Sequence, residues 1–182
     1  MTQFSQMNTN SAGKPKRLNI TVIQGEIEIS DNPNVTLSTI LGSCVAVCMW
    51  DSQVKIGGMN HFLLAGGADA NTIKYGAYAM EMLINQLLRM GARRSALQSK
   101  AFGGAAVSNL TNDIGQKNAD FARTFLSNES IPCLGESLGG TKARRLRFEP
   151  TTGIVKMLFV HPNDVAPVTQ PTRVPASNIT LF

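Results

Sequence analysis

Leu41-Gly42-Ser43-Cys44-Val45-Ala46-Val47-Cys48-Met49-Trp50-Asp51, followed by Gly57-Gly58-Met59-Asn60-His61-Phe62, is the stretch that decides the fold. From Cys44 to Trp50 small, β-branched and apolar residues run without a charge, which predicts a buried strand. Asp51-Ser52-Gln53 predicts a turn, and Val54 to Leu64 returns as a hairpin partner. This pairing sets Cys44, at the entrance of the first strand, next to the strand of His61, within reach if both side chains point to the same face. A thiol within reach of an imidazole can form a thiolate–imidazolium pair, the minimum equipment for nucleophilic catalysis.

Outward from this hairpin the chain keeps short extended runs. Asn19 to Ile29 alternates and predicts a strand pair or one bent strand, Ser30 to Asn34 has turn chemistry, and Val35 to Ile40 is extended. Downstream, Ala65 to Asn71 is a small-residue loop. Lys74 to Met90 predicts a helix, with Tyr75, Ala79, Met82, Leu83, Leu87 and Met90 as its apolar stripe and Gly91 as its stop. Leu97 to Phe102 predicts a strand ending at Gly103-Gly104. Asn112 to Ser127 predicts a second helix with Ile114, Phe121, Ala122, Phe125 and Leu126 inward. Ile131 to Leu138 is a further strand, and Arg144–Phe148 with Ile154–Val160 a hairpin around Pro150-Thr151-Thr152-Gly153. Many short strands with two helices define an α+β chain, helices packed on one side of largely antiparallel sheet. The expected organisation is a basic, disordered leader over 1–17, one domain over 18–162, and a proline-containing tail over 163–182.

Composition narrows the function classes. The net charge of +5 owes +3 to Lys14, Lys16 and Arg17 in the leader, so the basic balance is weak grounds for a nucleic-acid partner. No apolar run reaches the length of a membrane span, and the N-terminus lacks a secretory h-region, so the expected location is cytoplasmic without membrane insertion. The odd cysteine count of 3 argues against a disulfide framework. Cys44 and Cys48 with one nearby histidine supply too few ligands for a closed zinc site, and neither metal nor cofactor is expected.

Among the cysteines, Cys48 and Cys133 sit inside strand patterns and read as small hydrophobes. Cys44 follows Gly42-Ser43, where the backbone can bend and aim amide hydrogens at one point. Such amides, those of Cys44 and its neighbours, lower a thiol pKa and stabilise an oxyanion. An activated Cys44 is expected to react with iodoacetamide at mildly acidic pH before the other two. His61 is the candidate base, with a buried core histidine as the alternative; Ser38, Thr39 and Asn60 are the polar residues able to orient it. His161 reads as structural. The glycine pairs 57–58, 103–104 and 139–140 fit tight turns or close backbone approach, since no phosphate-loop pattern accompanies them. Lys142, Arg144, Arg145 and Arg147 read as a solvated strand face, or as a surface for an acidic partner.

A family likeness is carried by ordered motifs. They are Leu41-Gly42-Ser43-Cys44-Val45-Ala46-Val47, Gly58-Met59-Asn60-His61-Phe62, Tyr75-Gly76-x-x-Ala79-Met80-Glu81, Lys100-x-Phe102-Gly103-Gly104-Ala105, Ile114-Gly115-x-x-Asn118, Gly139-Gly140-x-x-x-Arg144-Arg145 and Pro150-x-Thr152-Gly153. Over Leu18 to Val160 they resemble CheD, the chemoreceptor glutamine deamidase family of bacterial chemotaxis. The resemblance implies a three-layer β/β/α sandwich like that of the cytotoxic necrotizing factor toxins. It implies a Cys–His hydrolase with Cys44 as nucleophile and His61 as base. The family's third residue is a threonine six positions before the cysteine; that position holds Ser38 here, with Thr39 one step later. The implied substrate is a glutamine on the cytoplasmic helical region of methyl-accepting chemotaxis receptors, and the implied further partner a CheC-like phosphatase. The alternative is a non-catalytic adaptor that binds receptors or such a phosphatase through the same surface.

Overall fold

The computed structural model describes residues 17–64, 70–107 and 112–160. The expected leader and tail, His161 and most of the Ala65–Asn71 loop lie outside the described residues. Within them the elements run β1 (Leu18–Thr21), β2 (Ile27–Ser30), β3 (Val35–Leu41), β4 (Val45–Asp51), β5 (Ile56–Phe62), α1 (Ala70–Arg89), a short 3-10 turn (Arg94–Ala96), β6 (Gln98–Gly103), α2 (Asn112–Asn128), β7 (Cys133–Leu138), β8 (Ala143–Glu149) and β9 (Ile154–Val160). One sheet has the order β1-β3-β8-β9 and the other β2-β5-β4-β6-β7. Both are mixed: β1 runs parallel to β3 and β6 parallel to β7, and every other pairing is antiparallel.

Strands β4 and β5 are buried along their whole length because the five-stranded sheet is covered on both faces. The alternation of β4 separates two cores. Val45, Val47 and Met49 face the helices and meet Met80, Leu83, Ile84, Leu87, Ala122 and Leu126. Ala46, Cys48 and Trp50 face the other sheet and meet Leu37, Leu41, Leu146 and Phe148. The layers are therefore β/β/α, as expected.

Two expectations need correction. The stripe of α1 is rotated: Met80, Leu83, Ile84 and Leu87 are buried while Tyr75 and Met90 are exposed. Gly76 permits this, since a Cβ there would press within 2.8 Å of Leu64 and Phe121. The alternating stretch from Asn19 to Ile29 is neither a hairpin nor one bent strand. Its halves belong to different sheets, and the chain crosses between the layers over Val22–Glu26. Strand propensity alone does not say which sheet a strand joins.

Candidate active site

Cys44 lies just before β4, at a bend whose three carbonyls are all held from one side. The N–H of Ala105 donates to Gly42 O at 2.8 Å, the side-chain Nδ2 of Asn118 to Ser43 O at 2.9 Å, and the N–H of Gly104 to Cys44 O at 2.8 Å. Asn118 is fully buried, and its Oδ1 also accepts the Leu64 N–H at 2.8 Å, just past the end of β5. One side chain thus ties the Cys44 bend to the strand bearing His61. Gly103 makes the bend possible: its φ is +112°, and a Cβ there would lie 2.1 Å from Cys44 O.

His61 pairs across β4–β5 with Ala46, so its side chain enters the layer between the sheets. Cys44, two residues before Ala46, stands on the same face and packs at the edge of the inter-sheet core. The two are diagonal neighbours, a relation that spans roughly 7–8 Å between backbones and is within reach of longer side chains.

The Nδ1 edge of the ring is fully engaged. It lies 3.0 Å from Thr39 Oγ1 and 3.2 Å from Val22 O, while the Thr39 hydroxyl donates to Val22 O at 2.8 Å. A carbonyl can only accept, so the tautomer that satisfies Val22 O, Thr39 and the ring together carries its hydrogen on Nδ1, with the Thr39 proton on Val22 O; this assigns the lone pair to Nε2. Among the described residues Nε2 is the one buried side-chain nitrogen or oxygen without a hydrogen-bond partner. Burial holds the imidazole pKa below its usual value, opposed in part by the Val22 carbonyl and the Glu26 carboxylate. Burial likewise pushes the Cys44 thiol up, and its own backbone N–H pulls it part of the way back.

The other sequence candidates separate cleanly. Alternation along β3 sends Thr39 inward and Ser38 to the opposite face. Ser38 Oγ accepts from Asn19 Nδ2 at 3.0 Å and donates to Ile20 O at 3.4 Å, away from the ring. Asn60 faces the helices, where it accepts the Val47 N–H at 2.9 Å and donates to Ala79 O at 3.2 Å. Cys48 is fully buried, with its thiol pushed far up by desolvation. Cys133 is exposed rather than packed in a core. The basic cluster also divides: Arg145 and Arg147 face outward, but Arg144 is buried and donates to Ser137 Oγ and to the carbonyls of Gly103, Lys142 and Gly139. It fastens the β6 and β7 ends to β8, beside the Cys44 bend.

One contributor was missed by the sequence reading, the crossing segment Val22–Glu26. Val22 O receives both Thr39 and His61, and Gly25 N and Glu26 O clamp the His61 backbone at 2.7 and 3.1 Å. Gln24 Oε1 accepts the Cys44 thiol at 3.4 Å. The only sequence signal was Gly25, which interrupts the alternation; its φ is +91°.

A thiol at a pinned bend, facing a base whose other nitrogen is fixed, has the components of a cysteine hydrolase that works through an acyl-enzyme. The chain belongs to the CheD family: residues 64–158 match the family model described as CheD chemotactic sensory transduction. A relative from Ruegeria sp. (strain TM1040), named probable chemoreceptor glutamine deamidase CheD 1, is 45% identical over 90% of this chain and 95% of its own length. A probable chemoreceptor glutamine deamidase CheD of Cereibacter sphaeroides is 49% identical over 88% of this chain and 83% of its own. One of Caulobacter vibrioides (strain NA1000 / CB15N) is 45% identical over the full length of both chains. No helix among the described residues is long and apolar enough to cross a membrane.

Proposed function

We propose that this protein is a chemoreceptor glutamine deamidase, a protein-glutamine glutaminase acting through Cys44, His61 and Thr39. The observation that carries this reading is the engaged Nδ1 edge of His61, which leaves Nε2 as a base on the face shared with Cys44. In the reaction Nε2 takes the thiol proton as Sγ attacks the carboxamide carbon of a substrate glutamine. The imidazolium that forms keeps its Nδ1–H on Thr39 and Val22, which orient it as Asp does in a serine triad. The negative charge on the tetrahedral oxygen falls to the Cys44 N–H. Collapse expels ammonia, protonated by His61, and leaves a γ-thioester. Water, deprotonated by His61, then hydrolyses the thioester to glutamate and restores the thiol. The same steps accommodate a glutamyl methyl ester, with methanol as leaving group.

The relatives' names specify chemoreceptors, so the substrate proposed is a glutamine on the receptor's cytoplasmic helices. Cys44 is only half-buried and Gln24 beside it is exposed, which suits a side chain presented on a helix. The test is incubation with a receptor cytoplasmic domain, followed by mass spectrometry. The expected gain is about 1 Da per modified glutamine, set by amide-to-acid chemistry, and Cys44→Ala should show none. An equal gain with Cys44→Ala refutes the thiol mechanism. Receptor binding by the wild type without any gain leaves the adaptor reading in its place.

A further inference from the structure

We propose that Gln24 is a further catalytic residue, its side-chain carboxamide acting with the Cys44 N–H as the second arm of the oxyanion hole. This rests on the hydrolase reading of Cys44 and His61. Three observations support it. The Gln24 side chain touches the reacting sulfur, with Oε1 3.4 Å from Sγ. Its position is preorganised: Gly25 N and Glu26 O on its C-terminal side are bonded to the His61 backbone, and the turn closes on itself through Glu26 N to Ile23 O at 3.0 Å and Ile23 N to Glu26 Oε2 at 3.0 Å. The bend itself is fixed, because the carbonyls of Gly42, Ser43 and Cys44 are tied down by Ala105, Asn118 and Gly104.

A carboxamide suits a thiol that changes state during the reaction. In the resting enzyme S–H is a donor and Oε1 accepts it. Once His61 holds that proton, sulfur has nothing to donate, and negative charge appears on the substrate oxygen next to it. Rotation of the terminal amide torsion, which is soft and roughly two-fold, exchanges Oε1 for Nε2 and presents two N–H donors to the oxyanion. A donor placed where charge develops lowers the barrier without strengthening ground-state binding.

The test compares two reactions of Cys44 in a Cys133→Ser background, with Cys44→Ala as blank. Acylation by p-nitrophenyl acetate passes through a tetrahedral oxyanion; alkylation by iodoacetamide does not. Gln24→Leu keeps the bulk and removes the donors. Its acylation rate should fall roughly 10²-fold, the usual cost of one oxyanion donor, with alkylation within about threefold of wild type. Receptor deamidation should lose kcat by a similar factor with KM little changed. An unchanged ratio of acylation to alkylation overturns the proposal, as does an equal fall in both, which makes Gln24 only a support for the thiol. A falling ratio in a protein that deamidates no receptor upholds the oxyanion role and refutes the substrate assignment instead.

Discussion

Thr39 and Ser38 are adjacent hydroxyl residues with opposite fates, and replacing each tests the site. Thr39→Val keeps the shape and removes Oγ1. That oxygen makes two buried hydrogen bonds, to Val22 O and with His61 Nδ1. At about 0.5–1.5 kcal/mol net for each, the fold should lose about 1–3 kcal/mol. The catalytic loss is bounded by what remains. Val22 O still lies 3.2 Å from Nδ1, so the tautomer survives while the ring loses one of two restraints. A fall in kcat of about 10- to 100-fold is expected, equivalent to about 1.4–2.7 kcal/mol of barrier. KM should hardly move, because buried Thr39 is not exposed to a bound receptor. Ser38→Ala removes a hydroxyl that serves only Asn19 and Ile20, and should leave kcat within about threefold of wild type. The assay is the mass gain of a receptor domain against time, with thermal unfolding of each variant alongside. Equal damage from the two substitutions, or an undamaged Thr39→Val enzyme, would refute the assignment of Thr39 as the residue that orients His61.

Further outcomes follow from the same geometry. Burial lowers the His61 pKa and raises that of Cys44, so the kcat/KM profile should have its acid limb below the ordinary histidine value and its alkaline limb above the ordinary cysteine value. Cys44 should accordingly react with iodoacetamide slowly at mildly acidic pH and faster as pH rises, the reverse of the expectation for a preformed ion pair. The lowered His61 pKa also links to stability: the unfolded chain binds its proton first, so stability falls as pH drops from about 6.5 toward the folded value, which a urea midpoint series on wild type and His61→Gln measures. Gly103→Ala combines a strained positive φ with a methyl group against Cys44 O; a loss of about 2–6 kcal/mol in chemical denaturation is expected. Asn118→Asp keeps the acceptor for Leu64 N–H but sets an oxygen against Ser43 O. It should cost about 1–3 kcal/mol and lower kcat more than KM, in the same assays.

The hairpin at the heart of the molecule was legible because its signal is local. An uncharged run, a turn and a returning run leave β4 and β5 little choice, and their register then brings Cys44 and His61 to one face. Thr39 was not separable from Ser38 because that choice depends on which face of β3 meets the other sheet, a fact held by Leu37 and Leu41 packing against Leu146 and Phe148. Arg144 was misread for a related reason. Its neighbours in sequence are solvated, and only the close approach of the β6 and β7 ends buries it. Gln24 was invisible because Gly25 marks a break in the alternation but not that the chain leaves one sheet for the other there.

That crossing explains why the site forms where it does. Thr39 belongs to the four-stranded sheet and His61 to the five-stranded sheet, and no strand pairing joins them. Their 3.0 Å contact exists only because the inter-sheet core sets the spacing of the layers and Val22 O sits between them as a shared acceptor. The nucleophile, by contrast, is held from the helix side through Asn118 and Gly104. Cys44 and His61 thus share the inter-sheet core, and the Cys44 bend is held in addition from the helix layer. A substitution in the Leu37–Phe148 layer acts first on the tautomer and aim of His61, whereas one in the α2 contact acts first on the bend at Cys44. Because Val22–Glu26 touches His61, Thr39 and Cys44 together, a shift in the inter-sheet core reaches the whole site through this segment.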